Sequence, residues 1–130
     1  AKVKPGTSDA LMSQMDLLAS FAALTDQRVP KGQAPDSENH LEALLGTKQT
    51  GREFLVEQSN GGAPFGFRHG TWKLTPGGPK AKEAGPGLFD LATDLGEAKN
   101  LAAAHPDRVA AMRAKLAEVT GPPVPKKDTK

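Results

Sequence analysis

The 130-residue sequence has no cysteine, which excludes disulfides, thiolate nucleophiles and cysteine-based zinc sites. It has no apolar run near the roughly 20 residues that would span a bilayer. Its opening residues, Ala1-Lys2-Val3-Lys4-Pro5-Gly6, lack the apolar stretch of a signal peptide. It also lacks a basic face. Lys and Arg total 17 against 15 Asp and Glu, and part of the surplus sits at the two ends (Lys2, Lys4, Lys126, Lys127, Lys130). A nucleic-acid footprint needs these charges gathered on one surface, so no nucleic-acid partner is expected. No adjacent Asp-Asp or Asp-Asn pair offers a metal cradle. His40, His69 and His105 are too far apart for short zinc-ligand spacing. Gly61-Gly62 and Gly77-Gly78 lack the continuation of a phosphate loop. The carboxylates Asp36, Glu38, Glu53 and Glu57 show no spacing that sets two across a common cleft.

What is plentiful is Gly (14) and Pro (11), which cut so short a chain into brief elements. Residues 10–14 read as a short strand, with helix as the alternative at that length. Asp16 can cap a following helix. Leu17, Leu18, Phe21, Ala22 and Leu24 recur at helical spacing and give that helix one apolar face. A second helix is expected over residues 37–45, capped by Asp36 or Ser37 and closed by Gly46, with Leu41, Leu44 and Leu45 inward.

The period then changes. Residues 54–57 read as a strand entering a turn at 58–62. Residues 65–69 and 71–75 alternate on either side of Gly70, which predicts an antiparallel hairpin with Trp72 and Leu74 on one face. Residues 76–87 read as a loop, and residues 88–91 as a last strand. Pro106 and Asp107 suit a helix start, Val109, Met112, Leu116 and Val119 form its stripe, and Gly121-Pro122-Pro123 stops it. Arg108 and Arg113 are expected to face water, and His105 to cap or flank the last helix.

These elements predict an α+β fold: a small antiparallel sheet of about four strands packed against a C-terminal helix. The short helices before it have too little surface of their own to bury and read as the edge of a larger α/β domain. The expected organisation is residues 1–48 as the end of that domain, 49–121 as the sheet-and-helix subdomain, and 122–130 as a flexible tail.

The order of these signals resembles the C-terminal region of the sulfatases, arylsulfatase-like members of the alkaline-phosphatase-like superfamily. Residues 8–20, with Asp16-Leu17, resemble a core strand running into a helix. Residues 30–46 resemble a loop carrying Asp that leads to a Leu-Leu-Gly helix end. Residues 65–74 resemble the arginine-glycine-tryptophan-lysine hairpin. The most specific stretch is residues 88–102, Leu-Phe-Asp-Leu-Ala-Thr-Asp-Leu-Gly-Glu-Ala-Lys-Asn-Leu-Ala. It resembles the family's run of leucine, aromatic, Asp, Leu, then Asp-Pro, Glu and Asn-Leu-Ala, with Leu95 where proline usually stands.

The resemblance implies an intact parent that hydrolyses sulfate esters with a formylglycine and a Ca²⁺ ion, acting on a sulfated small molecule or glycan, outside the cytoplasm (periplasmic or secreted). It also implies that the modified residue, the metal ligands and the sulfate-holding lysines belong to the remainder of a sulfatase chain, this chain's expected partner. No catalytic residue is carried over, and no metal is expected here. The nearest match to the modification motif, His105-Pro106-Asp107-Arg108, has His at the convertible position. Arg68, His69 and Lys73 are the candidate cationic rim for an anionic substrate. Two other readings differ in class. One is a free-standing protein- or glycan-binding module that works through the sheet and its loops. The other is a complete small hydrolase, which the missing nucleophile and metal cradle disfavour. The first reading also predicts that Leu17, Leu18, Phe21 and Leu24 form an exposed apolar patch on the chain alone.

Overall fold

In the computed structural model, residues 3, 6–59, 62–76 and 85–121 are described, except for the side chains of residues 59 and 62–64. The tail at 122–130, the tip of the turn at 58–62 and most of the loop at 76–87 therefore lie outside the described residues. The chain divides into two compact units, Ala1–Leu55 and Val56–Lys130.

The first unit contains α1, Asp16–Leu24, and the single-turn α2, Leu41–Leu44. Residues 10–14 form no strand. The Ser13 and Gln14 carbonyls already accept from the Asp16 and Leu17 amides, so the chain turns into α1 before a ladder can start. One extended contact survives, from the Arg52 amide to the Leu11 carbonyl at 2.7 Å. It requires glycine at position 51, because a Cβ there would land on the Leu11 backbone.

Asp16 is the first residue of α1 rather than its cap. The cap position is Met15, whose side chain has no oxygen to offer. The capping comes from Ser37, whose hydroxyl accepts from the Ala19 amide (3.1 Å) and donates to the Met15 carbonyl (2.6 Å). That commitment explains why the second helix starts late. Ser37 is held on α1, Asp36 caps nothing, and the α2 amide of Leu41 finds Asn39 Oδ1 instead. Gly46 ends α2 with φ +74°, as its place in the sequence predicts. Ala43 is the buried residue of α2, and the three leucines are only half-buried.

Four strands form one sheet, β1 Phe54–Ser59, β2 Gly62–His69, β3 Trp72–Thr75 and β4 Gly87–Asp90, ordered β1-β2-β3-β4, and from Val56 onward they belong to the second unit. β2 with β3, and β3 with β4, are antiparallel, with Phe67 opposite Leu74 and Leu74 opposite Leu88. Alternation puts these three on one face, and all three are buried. The tight β2–β3 turn is possible because Gly70 takes φ +57°. The last helix, α3 (Pro106–Thr120), lies against β2 and buries Val109 and Met112. The remaining stripe positions thin out toward solvent, with Leu116 half-buried and Val119 exposed. At about 1.5–3 kcal/mol per large buried side chain, this small apolar layer is the main cohesion of the unit. The expected fold class is the one observed.

Candidate functional site

The hairpin distributes the three rim candidates over two faces. Arg68 pairs with Lys73 across β2 and β3, and Lys73 pairs with Phe89 on β4, so these share one face. His69 sits opposite Trp72, on the face that carries Phe67 and α3. Its ring lies 6.3 Å from that of Phe67. Arg68 donates from Nε to the Gly70 carbonyl at 3.2 Å, which ties it back to its own turn. The Lys73 ammonium lies 2.8 Å from Glu97 and 3.4 Å from Glu57. The Glu97 hydrogen bond is the main reason that Lys73 holds its proton more firmly than an ordinary lysine. Lys73 thus carries a positive charge that two carboxylates already compensate.

A second grouping forms where α3 begins. His105 meets the Trp72 ring edge-on at 5.4 Å, and the Arg108 guanidinium lies over the same ring at 4.3 Å. Arg108 therefore covers an aromatic face, whereas the helix pattern alone sends it to water. Such a contact contributes on the order of 0.5–1 kcal/mol at an exposed site. It fits Trp72 as an anchor of the sheet.

The stretch most specific to the family resemblance is explained by backbone needs. Asp90 accepts from the Ala92 amide at 3.1 Å, turning the chain out of β4. Asp94 accepts from the Lys99 and Ala98 amides, which hold its carboxyl below the usual carboxylate range. Glu97 takes the Lys73 ion pair from a left-handed backbone position, φ +54°. Asn100 straps the edge strand. Its Oδ1 accepts from the Leu88 amide (3.1 Å) and the Ala102 amide (2.9 Å), while Nδ2 donates to the Pro86 carbonyl. A sheet edge left open would be a template for pairing with another chain. These side chains build the subdomain.

The most heavily engaged polar centre lies in the first unit and has no local sequence signal. Asp16 is fully buried and receives Arg52 Nε (2.8 Å), the Ser13 amide (2.8 Å) and the Glu38 amide (3.0 Å). The Arg52 guanidinium also reaches Glu38 Oε1 at 2.9 Å and the Asp36 carbonyl. Burial pushes the Asp16 carboxyl up, but the Arg52 hydrogen bond, the two amides and the Arg52 charge outweigh it and hold the group at about 2. The Asp16 hydrogen bond raises Arg52 in turn. Ser20, one turn along α1, is also buried and accepts from the His40 amide at 2.9 Å. The partners Asp16 and Arg52 are 36 residues apart, so neither helical spacing nor a motif announces the pair. Every Asp16 oxygen is engaged by donors. Among the described residues no three His, Asp or Glu converge on a point fit for a metal ion. None of their helices is long and apolar enough to cross a membrane.

No family model matches the sequence. It is 41% identical over 120 residues to an N-acetylgalactosamine-6-O-sulfatase of Bacteroides thetaiotaomicron, a match covering 84% of this chain and 23% of the relative. Among solved structures, one is a sulfatase from the glycosaminoglycan metabolism of Bacteroides thetaiotaomicron. It aligns with a TM-score of 0.78 at 36% identity, over 93% of this chain and 27% of that one. A 2-O glycosaminoglycan sulfatase aligns with a TM-score of 0.68 at 25% identity, over 92% of this chain and 27% of that one. The chain thus spans about a quarter of the length of the sulfatases it matches. By sequence and fold it fits the C-terminal region of a sulfatase.

Proposed function

We propose that this chain is the C-terminal part of a sulfate ester hydrolase acting on sulfated glycans, supplying structure and part of the substrate rim. One observation carries the reading: 41% identity to a sulfatase holds over most of this chain, yet accounts for only 23% of the relative's length. Asp16, Arg52, Asp90, Asp94, Glu97 and Asn100 bind backbone or one another, which supports a scaffolding role. The formylglycine nucleophile and the Ca²⁺ ion belong to the remainder of the sulfatase chain. Asp16, the buried carboxylate of the first unit, is saturated by Arg52 and backbone amides and so leaves no oxygen free for a cation. Of the three rim candidates, Arg68 is the one left to meet an anionic substrate on its face, because Lys73 is already compensated by Glu57 and Glu97.

The test uses the full encoded polypeptide. Peptide mass mapping reads for a formylglycine, and sulfate release is followed on 6-O-sulfated N-acetylgalactosamine and on 2-O-sulfated glycosaminoglycan oligosaccharides. Sulfate release by the modified polypeptide is the expected result. A folded polypeptide with neither the modification nor any sulfate release overturns the reading.

A further inference from the structure

The region around Trp72 holds a cation in place without neutralising it. The Arg108 guanidinium lies 4.3 Å from the centre of the Trp72 ring, and the His105 ring meets the same indole edge-on at 5.4 Å. Lys48, Arg52, Lys73 and Lys115 each meet a carboxylate. Arg108 meets a ring instead, and among the described residues it has no ion-pair partner and no acceptor for its N–H groups. A ring contact fixes one flat side of a guanidinium and leaves the N–H edge free for a bidentate partner. The helix end itself is already answered, since Pro106 has no amide N–H and Asp107 puts a carboxylate in the first turn. What is left unspent lies on side chains, His105 and Arg108, both exposed. With Ala104 and Ala111 they border an open depression of about 490 Å³, a volume within the range of small-ligand sites.

We infer that Trp72, His105 and Arg108 form a second binding site for a sulfated glycan, one that holds an oxyanion of the polymer at a sugar other than the one being hydrolysed. This rests on the reading under Proposed function, which makes the substrate a sulfated glycan. The register of the hairpin separates the two sites. Trp72 stands opposite His69 on the α3 side of the sheet, whereas Arg68 pairs with Lys73 on the other side. One sugar cannot reach both. A polymer carries oxyanions along its length, so a chain bound at the reacting sugar has others to place here. Arginine suits that partner, because its flat fork matches two oxygens of a sulfate or carboxylate. The depression is lined by polar and small side chains rather than large apolar ones, which fits a hydrated sugar chain better than a protein surface.

The full encoded polypeptide and its Arg108→Gln variant are titrated with a sulfated glycosaminoglycan polymer, with the disaccharide cut from it, and with polyglutamate. The polymer is expected to bind the variant about tenfold more weakly, the loss of one charge-assisted pair, while disaccharide affinity moves less than about twofold. Unchanged polymer affinity overturns the inference. So does an equal loss with the disaccharide, which would place Arg108 at the reacting sugar. Polyglutamate that binds as tightly as the polymer and weakens as much would make the surface a site for acidic protein, and overturns it too. Arg108→Lys keeps the charge and should hold at least about a third of the wild-type polymer affinity. A loss as large as that of Arg108→Gln would trace the effect to packing on Trp72 and not to charge, again overturning the inference. Sulfate release is followed on the same preparations. Sulfate release with no polymer effect defeats this site and spares the function. A polymer effect without sulfate release keeps the glycan site and defeats the hydrolase.

Discussion

The two units of this chain are held together by opposite means. In Val56–Lys130 the sheet and α3 close over Phe67, Leu74, Leu88, Val109 and Met112, an apolar layer with polar straps at its edge. In Ala1–Leu55 the fully buried side chains are Asp16 and Ser20, and the apolar side of the main helix faces out. The first arrangement is what a small domain does to satisfy itself. The second holds its helix by charge-assisted hydrogen bonds rather than by packing.

The largest expected effects test that contrast directly. Phe67→Ala removes the centre of the apolar layer and should destabilise the second unit by about 3–5 kcal/mol. Denaturant titration followed by Trp72 fluorescence checks it, since the single tryptophan lies in that unit. Arg52→Ala leaves the Asp16 carboxylate buried without its countercharge, and a loss of about 3–5 kcal/mol is expected in the first unit. Hydrogen exchange of the α1 amides is the readout. The pair Asp16→Leu with Arg52→Met should recover most of that loss, because breaking a buried ion pair costs more than replacing it with apolar groups. If Arg52→Ala alone is tolerated, the polar network does not hold the helix, and the contrast between the units fails.

Acid should separate them as well. The Asp16 carboxyl sits at about 2 in the folded chain against an ordinary 3.8. A lowered folded value means that the stabilisation is complete above about pH 4 and is lost as pH falls through about 2. The shift corresponds to about 2 kcal/mol at 1.36 kcal/mol per pH unit. The α1 amides should therefore lose exchange protection between pH 4 and 2, and Arg52→Ala should move that loss to higher pH, because burial then acts on Asp16 with only the two amides to oppose it. An unchanged acid profile in the variant would assign the transition to other carboxylates.

A middle-sized effect is expected at the sheet edge. Asn100→Ala removes the Oδ1 acceptor of the Leu88 amide and should cost about 1–3 kcal/mol, the range for a stranded donor. Because the strap also covers strand β4, the variant should self-associate more readily at high concentration. Sedimentation or light scattering checks that.

The sequence announces the second unit far better than the first, for a physical reason. Strand alternation around Gly70 and the α3 stripe from Pro106 to Gly121 are local patterns, and the apolar layer follows from them. The resemblance in residues 88–102 is also local, and its Asp, Glu and Asn positions prove to be turn, ion-pair and strap residues. In the first unit the deciding contacts are long-range. Nothing near Asp16 points to Arg52, and nothing near Ser37 points to the first turn of α1, so the run at 10–14 reads as a strand and Ser37 as a cap of its own helix. The apolar face of α1 is nevertheless visible from spacing alone. What spacing cannot reveal is that the fold buries the other side.

The smallest expected effect sharpens the comparison most, because it concerns the same kind of bond in the opposite setting. Lys73 meets two carboxylates, as Arg52 does, but on a partly open sheet face. Its side chain is 20% exposed, with Glu97 at 32% and Glu57 at 40%, whereas Arg52 and Asp16 stand at 7% and 0%. Water screens the trio and competes for its hydrogen bonds, so Lys73→Gln should cost no more than about 1 kcal/mol. The loss should shrink further in high salt, whereas the Arg52→Ala loss should hardly respond. Denaturant titrations of both variants at low and high salt give the four values needed. A Lys73→Gln loss as large and as salt-insensitive as that of Arg52→Ala would mean that the sheet-face trio is as well shielded from water as the buried pair. The contrast between the two units would then fail.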